Sequence, residues 1–209
     1  MTVATAIAQE RPFPFLTGAQ TVALTVAPFD ALIVINPQND FFPGGAKPIP
    51  QSEKILKPTR LLIYLAQENG AEVLVSARSY SAGEADHCIS GTYGSGLRKE
   101  IGLILFDNIF FQNKVGSQQS CLSSYNRWEK HLSTHLYDNI INSILMIGMP
   151  TEECLKTLVL DTIGRGFDVL VAIDACAGFD KHESEKAIFE MKKAGAIITT
   201  SAKILQGRV

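Results

Sequence analysis

The sequence predicts an α/β protein, a three-layer sandwich with helices on both faces of a mainly parallel sheet of about six strands. Three observations carry this. Short apolar runs recur along the chain, segments of helical period lie between several of them, and glycines fall where those helices should stop. Strand, helix and glycine in rotation make βαβ units. Their right-handed crossovers put helices on both faces of a Rossmann-like sheet and place its site at the carboxyl ends of the strands.

Residues 1–28 stand apart as an N-terminal extension, punctuated by Pro12 and Pro14, with a candidate short strand at 21–26 before Pro28. Residues 29–209 read as one domain. The first strand, 31–35, is apolar throughout, as a strand buried on both faces must be. The second runs 73–77, behind a helix stopped at Gly70, and 109–111 is a candidate sixth strand. After the strand at 144–147, Leu155, Leu158, Val159, Thr162 and Ile163 recur at three- and four-residue spacing, one stripe facing a sheet, until Gly166. The strand at 169–173 is followed by the same spacing in Ala187, Ile188 and Met191, then by Gly195 and a last strand at 196–199.

Composition narrows the function. The 209 residues are 46% hydrophobic, enough for a sizeable core, which excludes disorder and fibres. With 19 basic against 21 acidic residues, no charge excess marks the chain for nucleic acid or an anionic membrane. The opening MTVATAIAQER lacks the basic region and apolar length of a signal peptide, and no stretch approaches the ~18 apolar residues of a membrane span, so the expectation is a soluble cytoplasmic protein. Four cysteines, Cys88, Cys121, Cys154 and Cys176, lack metal-ligand spacing, and a core of this size needs no disulfides.

Of these, Cys154 has the most chemical position. It follows a strand and opens a helical stripe, where the positive end of the helix favours thiolate over thiol. Glu152 and Glu153 oppose that effect, and an ordinary buried cysteine fits the position equally well. Lys114 closes the run Phe110-Phe111-Gln112-Asn113, where a strand delivers a side chain to the same edge; a surface lysine is the plainer reading. Asn36 closes the first strand before Pro37 and can hydrogen-bond but cannot take a proton.

Three motifs then carry a resemblance. Residues 31–45, with Asn36-Pro37-Gln38-Asn39-Asp40-Phe41-Phe42 at their centre, resemble the opening motif of nicotinamidases in the isochorismatase-like cysteine hydrolase family. His87-Cys88-Ile89-Ser90-Gly91-Thr92 resembles that family's HCxxGT segment, and Gly148-Met149-Pro150-Thr151-Glu152-Glu153-Cys154 its nucleophile loop GxxTxxC. The resemblance implies a Cys-Asp-Lys triad: a thiolate attacks an amide carbonyl, an aspartate moves a proton and a lysine stabilises charge. Cys154 and Lys114 take the first and last of these places; the aspartate's place holds Asn36.

Two further departures follow from the same alignment. Nicotinamidases bind a metal through an Asp-x-His pair after the second strand; here Ser79 and Ser81 stand at those positions and His87 alone matches a ligand, so no metal or other cofactor is expected. In the family a cis peptide lies four residues before the cysteine, and its second residue lends an N–H to the oxyanion hole beside the N–H of the cysteine. Pro150 makes that cis bond cheaper and removes the donor. The expectation is therefore a cis Met149–Pro150 bond and an oxyanion hole keeping only the Cys154 N–H.

Other signals are discounted. Gly91 to Gly96 follows no strand and reads as a turn-rich loop, not a nucleotide loop; Cys121 and Arg127 have phosphatase-loop spacing without its glycines; His131 and His135 read as solvated residues of a polar helix. Of the aromatics Phe41, Phe42, Tyr80 and Trp128, only Phe41 and Tyr80 are retained as pocket candidates. The leading reading is a metal-independent amidohydrolase acting on a small amide, with impaired or altered catalysis and with Asp40 as the acidic residue nearest in sequence to replace the lost base. The alternative is an inactive homologue that keeps the fold for binding or assembly; vinyl-ether hydrolysis, which relies on the missing aspartate, ranks last. The resemblance also implies a homo-oligomer.

Overall fold

The computed structural model describes residues 27–102, 106–112 and 131–208. Six strands, β1 (Ala31–Ile35), β2 (Glu72–Arg78), β3 (Asn108–Gln112), β4 (Ser143–Gly148), β5 (Asp168–Cys176) and β6 (Ile197–Thr199), form one sheet in the order β3-β2-β1-β4-β5-β6. Every adjacent pair is parallel. The chain starts at the sheet's centre and winds outward in both directions, so strand order reverses at β1 and β4 and opens a crevice above their carboxyl ends. The candidate strand at 21–26 lies outside the described residues, as do Lys114, Cys121, Arg127 and Trp128.

Period-two alternation sorts the strands between two cores. Ala31, Ile33 and Ile35 pack with Ile144, Met146, Leu155, Leu158, Val159 and Met191, under α3 (Leu132–Asp138), α4 (Lys156–Gly164) and α5 (Lys181–Ala194). Leu32 and Val34 pack with Leu145, Ile147, Leu62, Ile63, Ala66 and Ile204, under α1 (Leu56–Glu68), α2 (Lys99–Gly102) and α6 (Ser201–Leu205). A third, smaller cluster of Phe41, Phe42, Ile49, Ile55, Tyr80, Cys88 and Met149 packs the loops that follow β1, β2 and β4, at the carboxyl edge. Among the described residues no helix is long and apolar enough to cross a membrane.

One expectation is corrected here. His135 is not solvated: it is 6% exposed, its Nε2 lies 2.7 Å from Glu72 Oε1, and its ring tilts against Phe110. Leu132, His135 and Leu136 make the buried face of α3. The three- and four-residue spacing decides the face, and the polar composition misled.

Two predictions test this frame. Gly148 ends β4 at φ +124°, where an added Cβ would collide with the backbone of Ile35. Gly148→Ala should cost about 3 kcal/mol or more, strain and overlap combined, measured by urea unfolding. Asp30, ahead of β1, accepts hydrogen bonds from the Ser143 N–H (2.8 Å), the Asn142 N–H (2.9 Å) and the Ser143 hydroxyl (2.9 Å). The Ser143 amide does most to hold its carboxyl below the ordinary range. A depressed carboxyl contributes stability above its unfolded pKa and loses it as pH falls through the folded value. Asp30→Asn should therefore cost about 1 kcal/mol at neutral pH, a low figure because the carboxylate is exposed, and the gap should narrow in melts at pH 3.

Candidate active site

The loop after β1 is a set of clamps. Gln38, fully buried, accepts from the Arg78 N–H at 2.8 Å and donates to the carbonyls of Arg78 (2.7 Å) and Ser95 (2.8 Å). Asn39 donates to the Tyr93 carbonyl at 2.8 Å. Asp40 accepts from the Cys88 N–H at 2.6 Å and the Ala46 N–H at 3.0 Å, and Gly94 packs so tightly on its carboxylate that a Cβ would overlap it. Together these side chains lash the segment carrying His87 and Ser95 to the sheet edge. Asp40 is 7% exposed and held by two amides, structural work for the residue nearest in sequence to Asn36 that carries a carboxylate.

Asn36 sits at φ +48°, a left-handed conformation that asparagine tolerates, and is 1% exposed. Its Nδ2 donates to the Met149 carbonyl at 2.8 Å. The Met149–Pro150 peptide is cis. Beyond it a π-helical turn, Thr151–Leu155, runs straight into α4 and carries Cys154, 6% exposed. The Leu155 N–H donates back to the Pro150 carbonyl at 3.1 Å, so Asn36 and Cys154 are fastened to the same short segment. Glu152 is spent on the start of α5, accepting from the N–H groups of Phe179 (2.6 Å) and Asp180 (3.1 Å) and from the Ser184 hydroxyl (3.1 Å). The opposition of Glu152 to a thiolate is thereby muted, and Glu153 is left facing the site.

The group that meets the sulfur is Arg78, the last residue of β2. Its Nη2 donates to Cys154 Sγ at 2.6 Å and lies 3.5 Å from Glu153 Oε2; its Nη1 lies 3.2 Å from His87 Nε2. The guanidinium also stands 5.9 Å over the Phe41 ring. Burial works against its charge, but coupling to Cys154, Tyr80 and Glu153, with the hydrogen bond to Sγ, more than offsets this and raises its pKa above the ordinary value. Arginine only donates, so His87 Nε2 accepts and its Nδ1–H points at Asp86 Oδ1, 2.7 Å away. Phe41 and Tyr80 each meet the His87 ring edge-on at 5.6 Å. By contrast, burial pushes the thiols of Cys88 and Cys176 up to about 12, leaving both neutral.

Beside this cluster opens a cavity of about 480 Å³ lined by Arg78, Ser79, Ser90, Gly91, Ser95 and Phe111. Ser79 borders the cavity and Ser81 is exposed, while Phe41 and Tyr80 pack on His87 and are not among the residues lining the cavity. The glycine-rich stretch discounted as a nucleotide loop contributes Gly91 and Ser95 to the cavity's lining. Sequence reasoning missed Arg78. The available signal was a lone charge ending the apolar strand 73–77, one residue before the serines that drew attention. The donor set does not fit a divalent metal: His87 Nε2 already faces a cation, and among the described residues no group of three His, Cys, Asp or Glu side chains converges.

The comparisons with known proteins agree with this architecture. Residues 30–203 match the Isochorismatase domain. The nicotinamidase of Escherichia coli strain K12 is 26% identical over 82% of this chain and 95% of its own. The crystal structure of the pyrazinamidase of Pyrococcus horikoshii in complex with zinc superposes with a TM-score of 0.69 at 26% identity, over 83% of this chain and 99% of that one. PnC1 from L. infantum, solved in complex with nicotinate, superposes at 0.72 with 20% identity, over 88% and 96%.

Proposed function

The chain belongs to the isochorismatase domain family, and from that premise we propose that it is a metal-independent cysteine hydrolase that cleaves a small amide, with Cys154 as nucleophile. The observation that carries this reading is the 2.6 Å contact between the Arg78 guanidinium and Sγ. A cation touching sulfur favours the thiolate, which is the nucleophilic form. Similarity to nicotinamidases places nicotinamide and its analogues first among substrates to try.

In the proposed course the thiolate attacks the amide carbon, a C–S bond forms and the carbonyl electron pair moves onto oxygen. As the C=O bond reforms the C–N bond breaks, and the nitrogen leaves once it has gained a proton. Water then adds to the thioester and loses a proton, and the acid departs as the thiolate is restored. Asn36 cannot carry these protons. Glu153, partly exposed and held 3.5 Å from Arg78, is the carboxyl assigned to them, and Lys114 is assigned a second positive charge on the resemblance alone. Losing the aspartate lowers turnover by roughly 10² to 10⁴, and losing the donor at Pro150 by roughly another 10² to 10³, relative to a complete site. The second reading, a homologue that binds without turnover, is favoured by one observation: Asn36, which cannot take a proton, spends its Nδ2 on the Met149 carbonyl at 2.8 Å.

The test is ammonia release from a panel of small amides, including nicotinamide and pyrazinamide, with and without EDTA. Mass spectrometry looks for an acyl adduct on Cys154. Release insensitive to chelator supports the proposal. No release and no adduct with any member of the panel would overturn it in favour of the second reading.

A further inference from the structure

We infer that Arg78 is the resident cation of this site: its guanidinium holds Cys154 as a thiolate, follows the negative charge onto the carbonyl oxygen during attack, and closes His87 to a divalent metal. The first and third parts stand on the geometry; the second rests on the hydrolase reading.

Both partners of the contact are secluded, Arg78 with 12% of its side chain exposed and Cys154 at 6%, so water screens their attraction little. During attack the charge moves from sulfur to an oxygen on the carbon that sulfur has just bonded. That oxygen lies two bonds from Sγ, within the sweep of a planar guanidinium already touching the sulfur, whose several N–H groups fork toward it. Pro150 has no amide hydrogen to offer there. An arginine that tracks the charge restores a donor the backbone lacks.

The same side chain blocks the metal. The lone pair on His87 Nε2 accepts from Nη1, and an ion seeking that nitrogen would have to displace a guanidinium and then sit beside its positive charge. The rings of Phe41 and Tyr80 each meet the imidazole edge-on at 5.6 Å and occupy space beside it. The placement of Arg78 is enforced from three sides: Gln38 grips its backbone N–H and carbonyl, Glu153 balances its charge, and the Phe41 ring supports its face. Lysine, a single point of charge, cannot span sulfur and imidazole together. Among the described residues, the charged and titratable groups that face Cys154 or its partner Arg78 include His87 with Asp86, Tyr80 and Cys88 from the loop beyond β2, with Asp40 and Lys47 coupled to Cys88, and Glu153 from the turn of Cys154 itself.

The experiment measures iodoacetamide alkylation of the Cys154 peptide in the full chain from pH 5 to 9, for the unaltered protein, Arg78→Met and Arg78→Lys, with folding checked by circular dichroism. Cobalt binding by calorimetry is measured alongside, with His87→Ala as control. The unaltered protein should alkylate at Cys154 with an inflection below the ordinary thiol range. Arg78→Met should slow labelling at pH 7 by about tenfold or more, equivalent to one pKa unit or more, and Arg78→Lys should fall between. No stoichiometric cobalt binding is expected. An inflection at the ordinary thiol value near 8.5, which needs only the unaltered protein, overturns the inference. So does labelling indifferent to Arg78→Met, or one equivalent of cobalt bound and lost in His87→Ala. Alkylation needs no turnover, so labelling that depends on Arg78 without any ammonia release sinks the hydrolase reading and leaves the thiolate pairing standing.

Discussion

Cys154→Ala is expected to reduce ammonia release by about 10³-fold or more, to the level that binding alone can sustain, while the protein stays folded. The chemical part of this expectation follows from the absence of a second nucleophile of equal quality among the described cysteines: burial holds Cys88 and Cys176 neutral. The structural part follows from size. The substitution removes one sulfur atom from a residue at the edge of a core that already buries Leu155, Leu158 and Val159, a cavity worth about 1 kcal/mol. Arg78 loses its thiolate but keeps Glu153 at 3.5 Å and His87 at 3.2 Å, so its charge is not stranded. Cys154→Ser should be nearly as inactive, because a guanidinium that ionises a thiol does not ionise an alcohol. Retention of more than about a tenth of the activity in either variant, with folding intact, removes Cys154 from the reaction and the proposed mechanism with it.

How much of this was legible in the sequence differs between scaffold and site. All six strands of the sheet were readable because each is a short apolar run between breakers, and runs of that kind are set by burial, a property of residue type. The stripe from Leu155 to Thr162 and the stop at Gly195 were readable for the same local reason. The site was not local. In sequence Arg78 is the charged residue that follows the apolar run 73–77, and nothing within several residues of it reveals that Cys154, 76 positions later, lies against its fork. His135 was misjudged because its partner, Glu72, is 63 positions away. Gln38, Asn39 and Asp40 were seen as a motif, yet their work as clamps on backbone groups of the loop from Cys88 to Ser95 emerges only when the loop is folded over them. Resemblance found the cysteine; only the fold shows which cation meets it.

Asn36→Asp carries the opposite sign from the cysteine change and tests whether a proton carrier at this position raises turnover. In the native chain the Nδ2 of Asn36 donates to the Met149 carbonyl at 2.8 Å in a position 1% exposed. An ionised aspartate there would point a negative oxygen at that carbonyl, so the folded protein holds the proton, and the neutral carboxyl donates in place of the amide. The folded pKa therefore rises above the unfolded value of about 3.9. A carboxyl shifted in this direction costs nothing below the unfolded pKa. Its penalty grows as pH climbs from there to the raised folded value and then levels off. Urea melts should show Asn36→Asp close to the parent at pH 4 and about 2 to 3 kcal/mol less stable at pH 8. The same shift is what a general acid-base group needs near neutrality, so turnover should rise by roughly 10² to 10⁴ despite the loss of stability. A folded Asn36→Asp protein with unchanged turnover would mean that position 36 is not what limits the reaction. The proton work would then rest with Glu153, and Glu153→Gln, not Asn36→Asp, would be the substitution that moves the pH profile.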